Sequence, residues 1–250
     1  MSQPSHQSLV YRGALGVVDV WPLELTLEST EFLHSQTLGM GQHDWVLWQP
    51  FTGSERRSGF SSVVHKRTHY DGGREPEGLG GMVNSAHNTL DPVDDPGAVT
   101  NVTTDGVTFV NHGAILWGIS FLYGFWPPMS NQHRQINWRA VDTVQSEARA
   151  LNPGDVYDGS YTFVPVTHTV TERTRFEHSG NFDPDAHGMG GLQIWAPDSV
   201  LATNRPSARF VNTVWVGNAA GVGPAVALQS GQADFAFDMC LMKGNIAHLV

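Results

Sequence analysis

Cysteine occurs once in the 250 residues, at Cys240, so no disulfide can form within the chain. That fits a reducing compartment, or a protein that does without disulfides. Charge is scarce: 15% of residues are Asp, Glu, Lys or Arg, against roughly 25% in typical soluble domains. Lysine is scarcer still, with only Lys66 and Lys243. The formal net charge is −10, which argues against a dedicated nucleic-acid binder with a basic stripe. No apolar run approaches the roughly 20 residues that span a bilayer. The opening Met1-Ser-Gln-Pro-Ser-His-Gln7 lacks the charged and apolar regions of a signal peptide. The sequon Asn101-Val-Thr103 is accordingly read as chance.

Aromatic residues are plentiful, with eight tryptophans and twelve phenylalanines, and the apolar fraction is 40%. A chain of this length can bury one large core. A surface short of charge and of lysine resembles an interface, so the composition predicts an obligate assembly. The alternative is a β-sandwich whose aromatics all sit in its core.

Alternation dominates the local pattern. Val17–Trp21, Leu23–Leu27, Trp45–Trp48 and Phe60–Lys66 read as strands. Val107–Val110 leads into the most apolar stretch, His112–Trp126, whose glycines and β-branched residues favour strand over helix. Gln135–Val141 alternates again, and the pattern then predicts a short helix from Ala140 to Leu151. Tyr161–Val166 is a strand whose Pro165 belongs at an edge or bulge. Gly191–Ala196, Phe210–Val216 and Ala233–Met242 follow. Residues 71–106, rich in Gly and Asp-Pro and poor in large apolar residues, read as one long loop insertion. No internal repeat is read. The expected domain organisation is a polar arm over 1–8 and a single domain over 9–250.

In order, these segments resemble a capsid subunit of the picorna-like viruses, from about Val107 to His248. Phe109–Phe121 resembles the family's fourth strand, Phe163–Arg173 the sixth and Gly190–Trp195 the seventh. Phe210–Val216 resembles the eighth, and Ala233–Asp238, opening on Asp234-Phe235, the terminal strand. The resemblance implies an all-β fold, an eight-stranded antiparallel jelly-roll sandwich with long loops and at most a few short helices. It implies a structural subunit of an icosahedral shell around an RNA genome, released from a polyprotein of a positive-strand RNA virus. The implied partners are sibling capsid subunits, copies of itself, a host receptor and, weakly, genomic RNA. The implied location is the virion, and the host cytoplasm during assembly. Catalytic, cofactor and metal residues are then expected to be none.

Twelve histidines nonetheless raise an enzymatic alternative. The closest metal-ligand candidates are His65 with His69, His168 with Glu172, and His178 with Asp183, Asp185 and His187. Cys240 reads as packing within a terminal strand. Gly72–Gly81 lacks the context of a phosphate loop, and Asp94-Asp95 reads as a solvated turn. Histidines at subunit contacts would also charge as pH falls from about 7 to 5.5, loosening a shell. Two other functions stay open. One is a cellular β-sandwich module binding carbohydrate through tryptophans grouped on one face. The other is a cupin-like metal enzyme.

Overall fold

The computed structural model describes residues 15–18, 24–33, 45–51, 59–71, 74–75, 82–88, 98–111, 113–114, 117–124, 135–147, 149–150, 157–163, 166–180, 182, 192–196, 207–230 and 233–248. Its strands form three seven-stranded sheets and two small ones, of three and two strands, in which every pairing is parallel. The first runs through Leu15–Val18, Trp45–Phe51, Met82–Asn88, Trp117–Gly124, Tyr157–Phe163, Leu192–Ala196 and Val226–Ser230. The second runs through Glu24–Glu28, Gly59–Lys66, Ala98–Asp105, Gln135–Val141, Val166–Glu172, Ser207–Val211 and Asp234–Asp238. The third runs through Glu31–Leu33, His69–Asp71, Thr108–Val110, Val144–Ser146, Arg175–Glu177, Val214–Val216 and Leu241–Lys243. The chain visits the sheets in this order seven times. It is a parallel β-solenoid of seven coils, each stacked on the one before.

The corner between the second and third sheets explains why the coils stack. One residue there takes a left-handed conformation in every coil: Ser29, Arg67, Gly106, Asp142, Arg173, Asn212 and Met239, with φ between 47° and 64°. A single such residue bends the chain without reversing it. Its N–H points along the stack, out of reach of its own strand, and finds a carbonyl in the next coil. Arg67 N–H donates to Asp105 O at 2.7 Å, Asp142 N–H to Glu172 O at 3.0 Å, and Asn212 N–H to Asp238 O at 2.9 Å.

The next residue ties the corner to the coil below. It is threonine in five of the seven coils, Thr30, Thr68, Thr143, Thr174 and Thr213. The Thr174 hydroxyl donates to Ala140 O at 3.2 Å, and the Thr213 hydroxyl to Thr171 O at 3.3 Å. The Thr143 hydroxyl lies 3.3 Å from Thr104 O and 3.0 Å from the Thr104 hydroxyl. Val107 lacks the hydroxyl, and Cys240 substitutes a thiol whose Sγ is 3.4 Å from Phe210 O. Fully buried threonines are tolerated here because each hydroxyl has an acceptor within reach.

A second corner closes the third sheet, with Asn111, Glu147, His178, Gly217 and Gly244 at positive φ. Asparagines staple its last two turns. Asn218 Nδ2 donates to Phe176 O and Asn245 Nδ2 to Trp215 O, both at 3.0 Å, while Asn218 Oδ1 accepts from Ser179 N–H. Gly180 approaches this corner so closely that a Cβ would lie 2.0 Å from Ala219 O, at φ +110°.

Inside, equivalent side chains stack in ladders. The third sheet contributes Phe32, Tyr70, Phe109, Gln145, Phe176, Trp215 and Met242 in register. Phe32 and Tyr70 stack at 4.8 Å, Tyr70 and Phe109 at 4.9 Å, and Phe176 and Trp215 at 5.8 Å. Stacks of this kind add about 0.5–1.5 kcal/mol beyond area burial. Gln145 breaks the ladder: it is fully buried, and neither amide atom has a hydrogen-bond partner.

The antiparallel jelly roll expected from the sequence is therefore overturned. Phe210–Val216 and Ala233–Met242 are not single strands, because Asn212 and Met239 bend each of them into two sheets. Alternation persists through the bend, which is why each read as one strand. The short helix over Ala140–Leu151 is likewise replaced, by Gln135–Val141, Val144–Ser146 and Arg149–Ala150. The expected loop over 71–106 contains Arg74–Glu75, Met82–Asn88 and the whole of Ala98–Asp105. A repeat is present after all. Its marker positions, 30, 68, 107, 143, 174, 213 and 240, are spaced 38, 39, 36, 31, 39 and 27 residues apart, an uneven period that hides it. The arm over 1–8 and Pro165 lie outside the described residues.

Two substitutions test this packing. Gln145→Leu removes an unsatisfied buried amide and should stabilise the protein by about 1–2 kcal/mol in urea unfolding. Gly180→Ala forces a Cβ into the Ala219 carbonyl and should destabilise it by about 3 kcal/mol or more.

Candidate functional site

The seventh coil comprises Val226–Ser230, Asp234–Asp238, Leu241–Lys243 and Ile246–Ala247. Among the described residues each of these strands pairs on one side only, with the coil below. Among the described residues the inward ladders therefore end at this coil. Phe210 is fully buried beneath Phe237, at 4.7 Å between ring centroids, yet Phe237 itself is 45% exposed. Met242, which ends the aromatic ladder over Trp215, is 48% exposed, and Ile246 is 51% exposed. Met239 and Leu241 extend the same apolar end. Covering a Phe, Leu, Ile or Met side chain from water is worth about 1.5–3 kcal/mol. The patch also carries unpaired strand edges, which accept a further strand through main-chain hydrogen bonds. Two carboxylates, Asp234 and Asp238, stand exposed at the ends of its middle strand.

Of the residues singled out in the sequence, Asp234-Phe235 and Cys240 lie at this end and the histidines do not. Cys240 lies within it, at the corner after Met239 rather than inside a strand, and its thiol takes the place of the threonine hydroxyl. His65 and His69 separate: His65 points inward and is fully buried, while His69 lies half-buried on the outer face, 4.0 Å from Asp71. His168 and Glu172 share the outer face, but four residues along a strand span about 13 Å, too far for one metal ion. Each has its own neighbour: His168 Nδ1 is 2.7 Å from the Ser207 hydroxyl, and Glu172 accepts from Arg139 at 2.9 Å. His178 sits at a corner, where Gly217 leaves room for its ring. Its proposed companions Asp183, Asp185 and His187 lie outside the described residues, as do Asp94, Asp95 and all the glycines of 72–81. No group of three or more His, Cys, Asp or Glu poised to hold a metal occurs among the described residues.

The carbohydrate-binding alternative called for tryptophans grouped on an exposed face. The two tryptophans whose side chains are described, Trp138 and Trp215, are buried. The outer face of the second sheet carries polar side chains instead, including Asn101 and Asn137, joined at 2.7 Å, and the ion pair of Arg139 with Glu172. At the corner beside it, Arg173 pairs with Asp142 at 2.6 and 2.8 Å. The Arg173 hydrogen bonds hold the Asp142 carboxyl below the usual carboxylate range. Such exposed pairs add little stability.

His65 is the one strongly perturbed histidine among the described residues. Burial pushes its pKa down to about 3, so it is neutral in the fold. Its Nδ1 shares a 2.7 Å hydrogen bond with the Tyr70 hydroxyl. Sequence reasoning named His65 only as a metal-ligand candidate and missed both its burial and the exposed apolar side chains of the last described coil, because each depends on how the coils stack. The recurring Thr-x-aromatic triplets, as in Thr68–Tyr70, Thr174–Phe176 and Thr213–Trp215, were the available signal.

Comparison with protein-family models, with curated proteins and with solved structures finds no match to this chain.

The buried imidazole makes a testable contribution to acid sensitivity. The unfolded chain takes up a proton near pH 6.5 and the fold resists it down to about 3. Stability is therefore fully present above pH 6.5 and falls as pH drops through that window, with a slope approaching about 1.4 kcal/mol per pH unit from this group. His65→Gln keeps a partner for Tyr70 without titrating near neutrality. It should flatten the fall in urea-unfolding free energy between pH 6 and 4, in the same order-of-magnitude terms.

Proposed function

We propose that this protein is a structural assembly subunit, a β-solenoid whose exposed apolar side chains in the last described coil are covered by other polypeptide. One observation carries the reading: the inward ladders, sealed in the body of the stack, end in exposed Phe237, Met242 and Ile246 at unpaired strand edges. Solenoids need a polar cap to stay soluble as monomers. Among the described residues this end has no such cap; it has apolar side chains and free edges. The implied role agrees with the low charge and the scarcity of lysine.

The virion-shell setting inferred from the resemblance rested on an antiparallel wedge. Without that wedge, the proposal narrows to assembly as such. Sibling subunits, copies of the chain and packaged RNA become candidate neighbours for experiment to sort.

The protein prepared under native conditions from cells that make it should sediment as a complex well above the monomer mass. Phe237→Glu with Met242→Glu should release the monomer while preserving the β-rich circular dichroism spectrum. A wild-type chain that sediments as a lone monomer in that material would sink the reading.

A further inference from the structure

We infer that the solenoid is built of two cooperative blocks that part between its fourth and fifth coils, residues 117–150 and 157–180. This joint lies in the middle of the stack and is separate from the apolar coil described above. In a stack, each coil is held only by its neighbours, so the boundary with the poorest contacts opens first.

Inside, no apolar side chain meets another across the joint along the second and third sheets or the corner between them. Trp138 faces Thr169, and Ala140 faces Thr171. Gln145 faces Phe176, and at the corner Thr143 lies beneath Thr174. Every other described boundary has at least one apolar pair. Below the joint these are Leu25 with Val63, Val63 with Val102, and Val102 with Trp138. Above it they are Phe176 with Trp215 and Phe210 with Phe237. Two polar groups at the joint are also buried without a hydrogen-bond partner: the Gln145 amide on its lower side and the Thr169 hydroxyl on its upper side. Each bears its full desolvation penalty in the closed stack and regains water when the joint opens.

The backbone is irregular at the same boundary. In the first sheet, Trp117–Gly124 pairs with Tyr157–Phe163 through the one register shift among the described pairings; the step from Ile119 to Leu122 is matched by the shorter step from Gly159 to Tyr161. Such a bulge leaves a residue unpaired and disrupts the ladder. Past the second corner the small sheets skip the joint. Arg74–Glu75, Gly113–Ala114 and Arg149–Ala150 tie coils two to four together. The Gly180–Ala219 bridge and the pairing of Ala219–Ala220 with Ile246–Ala247 tie coils five to seven. Among the described residues no such pairing links coil four to coil five. What closes the joint is the regular pairing of Gln135–Val141 with Val166–Glu172, clipped on the outside by the ion pairs of Arg139 with Glu172 and Arg173 with Asp142. Both ion pairs are open to water and add little.

Three exposed first-corner residues report on three boundaries with the same geometry. Arg67 N–H donates to Asp105 O in coil three, Asp142 N–H to Glu172 O across the joint, and Arg173 N–H to Val211 O in coil six. The test is residue-resolved amide hydrogen exchange by NMR on the full chain. The protection factor of Asp142 is expected to lie about tenfold or more below those of Arg67 and Arg173. Gln145→Leu with Thr169→Val places apolar side chains beneath Phe176 and above Trp138. This double variant should bring Asp142 to within about threefold of the other two. Equal protection of all three in the wild type, a lower value at Arg67 or Arg173, or a folded double variant that leaves the gap unchanged would each overturn the inference. If the double variant does not fold, the wild-type ordering decides alone. All three amides belong to one chain, so the comparison holds whether or not the chain assembles.

Discussion

Everything in this fold depends on satisfying the backbone at a corner. A left-handed residue turns the chain from one sheet to the next, and its N–H loses any partner in its own strand. The only acceptor within reach is the carbonyl of the following coil, as for Arg67 and Asp105 or Asp142 and Glu172. An unpaired buried N–H costs about as much as a lost hydrogen bond, so each coil requires a successor of the same shape. The threonine hydroxyls carry the same demand in the opposite direction. Stacking in register is thus enforced twice per corner, and the side-chain ladders follow from it.

The same logic sorts the interior. Residues at equivalent positions meet only their own kind above and below, so flat rings stack readily, as Phe32, Tyr70 and Phe109 do. A buried polar residue is tolerated where a corner supplies an acceptor, as for Thr213, and not where it faces rings, as for Gln145. His65 falls between these cases: its ring is accepted because Tyr70 brings a hydroxyl into the core.

Much of this was legible locally and little of it globally. Gln135–Val141 was read with the bounds that it has, and strands were anticipated at Trp45, Phe60 and Leu192. What alternation cannot reveal is the partner of a strand, because parallel and antiparallel neighbours impose the same period of two. Asn212-Thr213 and Asp142-Thr143 resemble ordinary turn chemistry, and the Ala140–Leu151 stretch carried helix formers that the stack overrode. The resemblance to viral shell subunits rested on the order of alternating segments, which a solenoid produces as readily as a jelly roll does. As for the candidate site, Asp234-Phe235 stood out from the start, but for the wrong reason. It lies in the last described coil, where Phe237 is exposed over the buried Phe210, a property of position in the stack rather than of the residues themselves.

The two corners bear on how such a chain can change over generations. From Gly106 to Asn111, Asp142 to Glu147, Arg173 to His178, Asn212 to Gly217 and Met239 to Gly244 the separation is always five residues. The return path to the next first corner varies freely, with 31, 26, 34 and 22 residues in successive turns. Genetic insertions and deletions are thereby excluded from the five-residue step between the corners and confined to the return path. Duplicating a whole turn lengthens the molecule by about 4.8 Å and leaves its cross-section the same.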